Sequence, residues 1–90
     1  MSVLYQFDAA KARANLAVHG IDFGAAAEFD WESALVLADT RRDYGEPRFI
    51  ALGLIGNRPH VMVFTPRGDM VRIISLRKAN AREITRYEAG

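Results

Sequence analysis

Cysteine is absent from this 90-residue chain, which excludes a disulfide framework and a thiolate metal site. Histidine is almost absent. With only His19 and His60 available, a zinc site would need carboxylates, and no close His/Asp/Glu ligand spacing occurs; the expectation is no metal and no cofactor. No apolar run approaches the ~18 residues of a spanning helix, and the N-terminus lacks the basic-then-apolar pattern of a signal peptide. The expectation is a soluble cytoplasmic protein with no membrane partner. Low-complexity tracts, internal repeats and linkers are missing too, so residues 1–90 are expected to form one domain around one core.

What is present is arginine, unevenly spread. The net charge of +1 conceals an acidic first part and a basic second part: residues 1–40 sum to −4 and residues 41–90 to +5. Nine of the ten bases after position 40 are arginine, the side chain whose planar fork matches phosphate in two places at once. A single surface arginine is ordinarily a solvated ion-pair partner, but a half-chain biased this way points to a polyanionic partner.

Residues 3–7 read as a short opening strand. Asp8 has the chemistry of an N-cap, and the Ala- and Leu-rich segment to His19 reads as a helix closed by Gly20 at the left-handed C′ position. Lys11, Asn15 and His19 recur every four residues and share one face, read as polar and outward, with Ala12 and Leu16 inward. Asp22 caps a second, shorter helix from Phe23 to about Phe29, with Phe23, Ala26 and Ala27 at core spacing. Trp31 reads as core, and residues 34–38 as a short apolar strand. The stretch 39–47, Asp-Thr-Arg-Arg-Asp-Tyr-Gly-Glu-Pro, is the most polar of the chain, a loop rich in groups that can do chemistry.

A strand over 48–55, a turn at 56–59 and a hairpin follow. Val61-Met62-Val63-Phe64 and Met70 to Leu76 are apolar runs separated by Pro66-Arg67-Gly68-Asp69, the pattern of two strands and a tight turn. Both strands carry apolar residues at adjacent positions, so both faces should be covered and the hairpin should sit in the middle of a sheet. Asn80 and Glu83 have capping-box spacing for a last helix from Ala81 to about Tyr87. If the strands at 48–55, 60–66 and 70–77 form a meander, Glu46, Arg48, Thr65 and Arg67 gather at one end. Arg58, His60, Arg77 and Lys78 then gather at the other, roughly 23 Å away at the ~3.3 Å rise of a strand. By strand parity Arg72 falls on the face opposite Arg77, where it reads as a buried pair.

These residues also carry a resemblance. Phe7-Asp8 with Lys11, Asn15 and His19-Gly20, Tyr44-Gly45-Glu46 with Arg48, and Thr65 with Arg67 occur in the order and spacing of the BrnT family of type II toxins. So do Arg72-Ile73-Ile74-Ser75, Arg77-Lys78-Ala79, Glu83 and Tyr87. The chain resembles that family over nearly its whole length; Leu76 departs from it, standing where the family usually has a small residue. The resemblance implies an α+β, RelE-like fold, with two N-terminal helices on a mainly antiparallel sheet and a C-terminal helix. It also implies metal-independent cleavage of RNA that arrests growth, and a cognate antitoxin with a DNA-binding domain.

Cutting RNA without a metal needs an acceptor for the 2′-OH proton, positive charge on the developing phosphorane and a proton for the leaving oxygen. Arginine serves the second need and is a poor acid or base; Glu46, His19, His60 and Tyr44 are the proton carriers. The expected catalytic set is Arg67 and Arg48 on the phosphate with Glu46 as base, and Arg77 at the other end of the sheet is the rival. Lys11, His19, Arg41, Arg42, Tyr44, Thr65 and Lys78 are expected to track the RNA. Glu46–Arg48 and Arg77–Glu83 read equally well as ion pairs that hold the fold. The alternative function is a binding module that grips RNA or a protein without cutting.

Overall fold

The computed structural model describes residues 3–90. In chain order the elements are β1 (Leu4–Gln6), α1 (Ala9–His19), a 3-10 helix (Phe23–Glu28), β2 (Leu35–Ala38), β3 (Phe49–Ile55), β4 (Arg58–Arg67), β5 (Met70–Lys78) and α2 (Ala81–Ala89). The strands form one sheet in the order β1-β5-β4-β3-β2. Its pairs are antiparallel except β1 on β5. The hairpin β4–β5 therefore lies inside the sheet, as its unbroken apolar runs require. Among the described residues no helix is long and apolar enough to cross a membrane.

Local chemistry sets the helix ends. Asp8 caps α1 by accepting from the N–H groups of Ala10 and Lys11, and Gly20 ends it at φ 72°, a left-handed conformation that costs a residue without Cβ nothing. Asn80 and Glu83 close a reciprocal capping box on α2. The middle helical piece is 3-10 rather than α, with three residues per turn. Its inward face is accordingly Phe23, Ala26 and Phe29, and Ala27, expected inside, is exposed.

Both faces of the sheet are covered. On the first, α1 and the 3-10 helix bury Phe23, Ala26, Phe29, Ala51, Met62, Phe64, Ile73 and Leu76. Trp31 packs between Phe29 and Phe64 with centroids at 4.8 and 5.3 Å, and its Nε1 donates to the Tyr5 hydroxyl. Gly53 lets the Phe29 ring rest on the strand, since a Cβ there would lie 2.6 Å from Phe29 Cζ. On the second face Ile84 and Tyr87 of α2 pack on Leu52, Val61 and Ala79.

Two expectations about side-chain direction change. The Lys11–Asn15–His19 face of α1 turns towards β5: Asn15 is the buried residue of the helix, and Leu16, expected inward, is 48% exposed. Asn15 is pulled in by hydrogen bonds to the strand backbone, which its amide can make and a leucine cannot. The second change is in β5. Val63 pairs with Ser75 and Phe64 with Ile73, so Ile74 has no opposite number on β4. This bulge reverses the alternation for everything after it. Arg72 stands opposite Thr65 and Arg77 opposite Val61, so both arginines project on the second face, not on opposite faces.

Candidate active site

At the lower end of the second face, three strands contribute one row: Arg48 just before β3, Thr65 opposite it on β4, and Arg72 on β5. The loop 39–47 is held against this row at three points. The Asp39 N–H donates to the Arg48 carbonyl at 2.8 Å. The Thr65 hydroxyl, on a residue only 1% exposed, donates to the Pro47 carbonyl. Thr65, expected to touch RNA, thus spends its one polar group on fixing the loop.

The third point is the Tyr44 ring on Arg48, set in place by Asp39. The Asp39 carboxylate accepts from Arg41 Nε and Nη2 at 2.8 and 2.7 Å and from the Tyr44 hydroxyl at 3.1 Å. The Arg41 hydrogen bonds hold the Asp39 carboxyl far below the usual carboxylate range, and Asp39 in turn holds Arg41 above its ordinary value. Anchored in this way, the Tyr44 ring supports the Arg48 guanidinium, whose Cζ lies 3.8 Å from the ring centroid, with Arg42 at 5.5 Å. That separation is a cation–π contact. Asp39, Arg42, Tyr44 and Arg48 border an open cleft of about 430 Å³ that also includes Ala38, Glu46, Pro47 and Phe49.

Glu46 stands between two arginines, with Oε1 3.3 Å from Arg67 Nη2 and Oε2 3.6 Å from Arg48 Nη2. The Arg48 guanidinium reaches Glu46 only at ion-pair distance, and its Nε is buried with no hydrogen-bond partner among the described residues. A buried unpaired donor is costly, and it lies on a guanidinium already fixed by Tyr44 and Glu46. Two guanidiniums, an unpaired N–H and one carboxylate are thus gathered here, a set with the chemistry of an anion receptor.

Arg72 donates from Nη1 to the Gln6 amide oxygen at 2.8 Å, so it is not half of a buried ion pair as expected. Its hydrogen-bond partner is neutral, and the Asp8 carboxylate is the acid that feels its charge. Further along the same face Arg77 is gripped by Glu83 through two hydrogen bonds of 2.8 Å. Those bonds raise Arg77 and lower Glu83 from their ordinary values, while the nearby Arg41 guanidinium opposes the Arg77 charge. Val63 and Ser75, both half-buried, lie between the two groups.

The other expected residues are dispersed. Lys11 and His19 border a separate hollow between α1 and Ile74. Lys78 pairs with His60 on the first face; His60 is buried with Nδ1 2.8 Å from the Arg58 carbonyl, to which it donates. Sequence reasoning missed Arg72. The signal was present in the spacing, because the polar residues of β5 before its final Lys78 fall at 72, 75 and 77 and alternation slips once, at Ile73-Ile74.

Residues 7–83 match the family model described as the ribonuclease toxin BrnT of a type II toxin–antitoxin system. The 1.1 Å crystal structure of the Brucella abortus ribonuclease toxin BrnT is similar to this chain at 29% identity with a TM-score of 0.64. The match spans 89% of this chain and 97% of that one. Comparison with curated proteins gives no match.

Proposed function

Because this chain belongs to the BrnT family of ribonuclease toxins of type II toxin–antitoxin systems, we propose that it cuts RNA without a metal ion at the Glu46–Arg48–Arg67 cluster. The observation that carries this reading is the receptor itself: two guanidiniums converging on one carboxylate, with the buried Arg48 Nε–H still unpaired. A scissile phosphate seated there takes the guanidiniums from Glu46 and leaves that carboxylate beside the ribose. Glu46 then accepts the 2′-OH proton while the 2′-oxygen attacks phosphorus. Arg48 and Arg67 balance the charge that grows on the non-bridging oxygens. The 5′-oxygen departs and takes a proton from water, giving a 2′,3′-cyclic phosphate and a 5′-hydroxyl. Tyr44 and Thr65 are positioning residues, the first under Arg48 and the second under Pro47.

Beyond the scissile phosphate the strand runs over Val63 and Ser75 towards Arg77. Four residues along β4 separate the Thr65 row from the Val61 row, roughly 13 Å, so Arg72 and Arg77 serve one bound strand. In this reading Arg77 binds RNA and does not touch the reacting atoms. The fold is RelE-like, the work is cytoplasmic because its substrate is, and the cognate antitoxin carries a DNA-binding domain.

The test is cleavage of end-labelled single-stranded RNA in EDTA by the wild type, Arg67→Ala and Arg77→Ala. Wild-type cleavage is expected, with a loss of about 10²–10³-fold for Arg67→Ala and weaker binding with retained chemistry for Arg77→Ala. Undiminished cleavage by folded Arg67→Ala removes the site assignment. RNA bound but intact with the wild type turns the reading to a binding module.

A further inference from the structure

The outer edge of β2 is short but chemically open. Its four residues, Leu-Val-Leu-Ala, carry no charge, no proline and no bulge, three of the devices that keep an edge from pairing. The Asp39 N–H bonds the Arg48 carbonyl across to β3, and antiparallel alternation then turns the N–H and C=O of Val36 and Ala38 away from the sheet. Val36 is 45% exposed. On the other side of the sheet, where β5 runs on past the end of β1, the Asn15 amide occupies the free groups of Leu76.

Beside β2 on the second face, Leu37, Ile50 and Leu52 floor a groove of about 280 Å³ walled by Arg82 and Arg86 of α2. Glu83 also lines it, but its carboxylate is taken by Arg77 and the Asn80 N–H. The wall is therefore cationic over an apolar floor.

We propose that this edge and groove receive an extended segment of the cognate antitoxin in which apolar and acidic side chains alternate. The inference rests on the toxin reading for the existence of that partner. The recognition follows from the surface: two outward N–H/C=O pairs on one strand suit a polypeptide backbone, the floor takes every second side chain, and the two arginines select carboxylates. RNA has no backbone to match the ladder. A second copy of this chain would bring its own neutral β2 and set one arginine wall towards another.

The experiment measures amide exchange at Val36 and Ala38 by NMR in the full chain alone, with its cognate antitoxin, and with single-stranded RNA. Protection is expected only with antitoxin. Ala38→Pro, which removes an outward donor and no internal bond, and the double variant Arg82→Glu/Arg86→Glu are each expected to weaken the complex roughly tenfold or more. Cleavage by the free Arg82→Glu/Arg86→Glu and Val36→Lys variants is expected to stay at the wild-type rate; Ala38 borders the active-site cleft, so Ala38→Pro is read by binding alone. Val36→Lys, an edge charge on an exposed side chain, replaces Ala38→Pro if that variant does not fold. Equal exchange in the free and bound states overturns the proposal, as does protection by RNA or in concentrated toxin alone. The exchange readout does not depend on catalysis, so a wild type that leaves RNA intact bears on the active-site reading and not on this one.

Discussion

Asn15 stands in for a missing strand beside Leu76. Its Nδ2 donates to the Leu76 carbonyl at 2.7 Å and its Oδ1 accepts the Leu76 N–H at 3.1 Å, and the same Nδ2 reaches the Ile21 carbonyl at 3.0 Å. Asn15→Ala strands a buried N–H and C=O and is expected to cost about 2–4 kcal/mol, read from denaturant unfolding. Asn15→Asp keeps the acceptor, loses the donor and adds a charge in the same place, so it should be no better than alanine. A loss below half a kilocalorie for either would mean that water replaces the amide.

Glu46 has two jobs in the proposed reaction, and they oppose each other on binding. As a carboxylate it repels RNA and occupies Arg48 and Arg67; as a base it moves the proton. Glu46→Gln should therefore bind a non-cleavable 2′-deoxy analogue more tightly while cleaving RNA about 10²–10⁴-fold more slowly. Single-turnover cleavage and a binding titration separate the two effects. Tighter binding with unchanged cleavage would leave Glu46 as an ion-pair partner only.

Arg72 and Arg77 are expected to behave as phosphate contacts on one strand. Each alanine variant should flatten the dependence of log affinity on log salt by about 0.7 with little change in the maximal rate. Arg77→Ala also releases Glu83, so its thermal unfolding should drop whereas that of Arg72→Ala changes less. The check is a salt series of binding curves for both variants. A salt slope left at the wild-type value in Arg72→Ala would remove it from the RNA track.

Acid should loosen this fold through Asp39 and Glu83. Both have lower pKa values folded than their ordinary 3.8 and 4.5, because each is hydrogen-bonded by an arginine. The folded state therefore binds fewer protons, and the stabilisation is complete above those ordinary values and lost as pH falls through and below them. Asp39→Asn is expected to lower Tm at pH 7 and to flatten the fall of Tm below about pH 4. A wild-type profile that is level from pH 6 to pH 3 would contradict this linkage.

Much of the fold was legible because its signals are local. Asp8 and Gly20, Asn80 and Glu83, and the paired apolar runs each announce an element through a hydrogen bond or a period that neighbouring residues complete. The gathering of Glu46, Arg48, Thr65 and Arg67 followed from the meander alone. Direction across the sheet was harder, since one bulged residue, Ile74, inverts the parity of all that follows and brings Arg77 onto the face of Arg72. Asn15 was read outward because an amide is ordinarily wet; only a strand end 61 positions away explains its burial. The pedestal under Arg48 and the bond from Thr65 to Pro47 were likewise invisible, being contacts between loop and strand that no spacing encodes.

The parallel pairing of Leu4 with Met70 fixes an order of events during synthesis. The first strand emerges early and has no partner until β5 has been made, so the sheet closes late, after the longest-range contacts of the chain become available. Gln6 meets Arg72 only then, and so does Asn15 its Leu76. Arg72 and Arg77 stand on that same last strand, whereas Glu46, Arg48 and Arg67 come earlier in the chain. The proposed RNA track along Arg72 and Arg77 is therefore completed only when β5 joins the sheet.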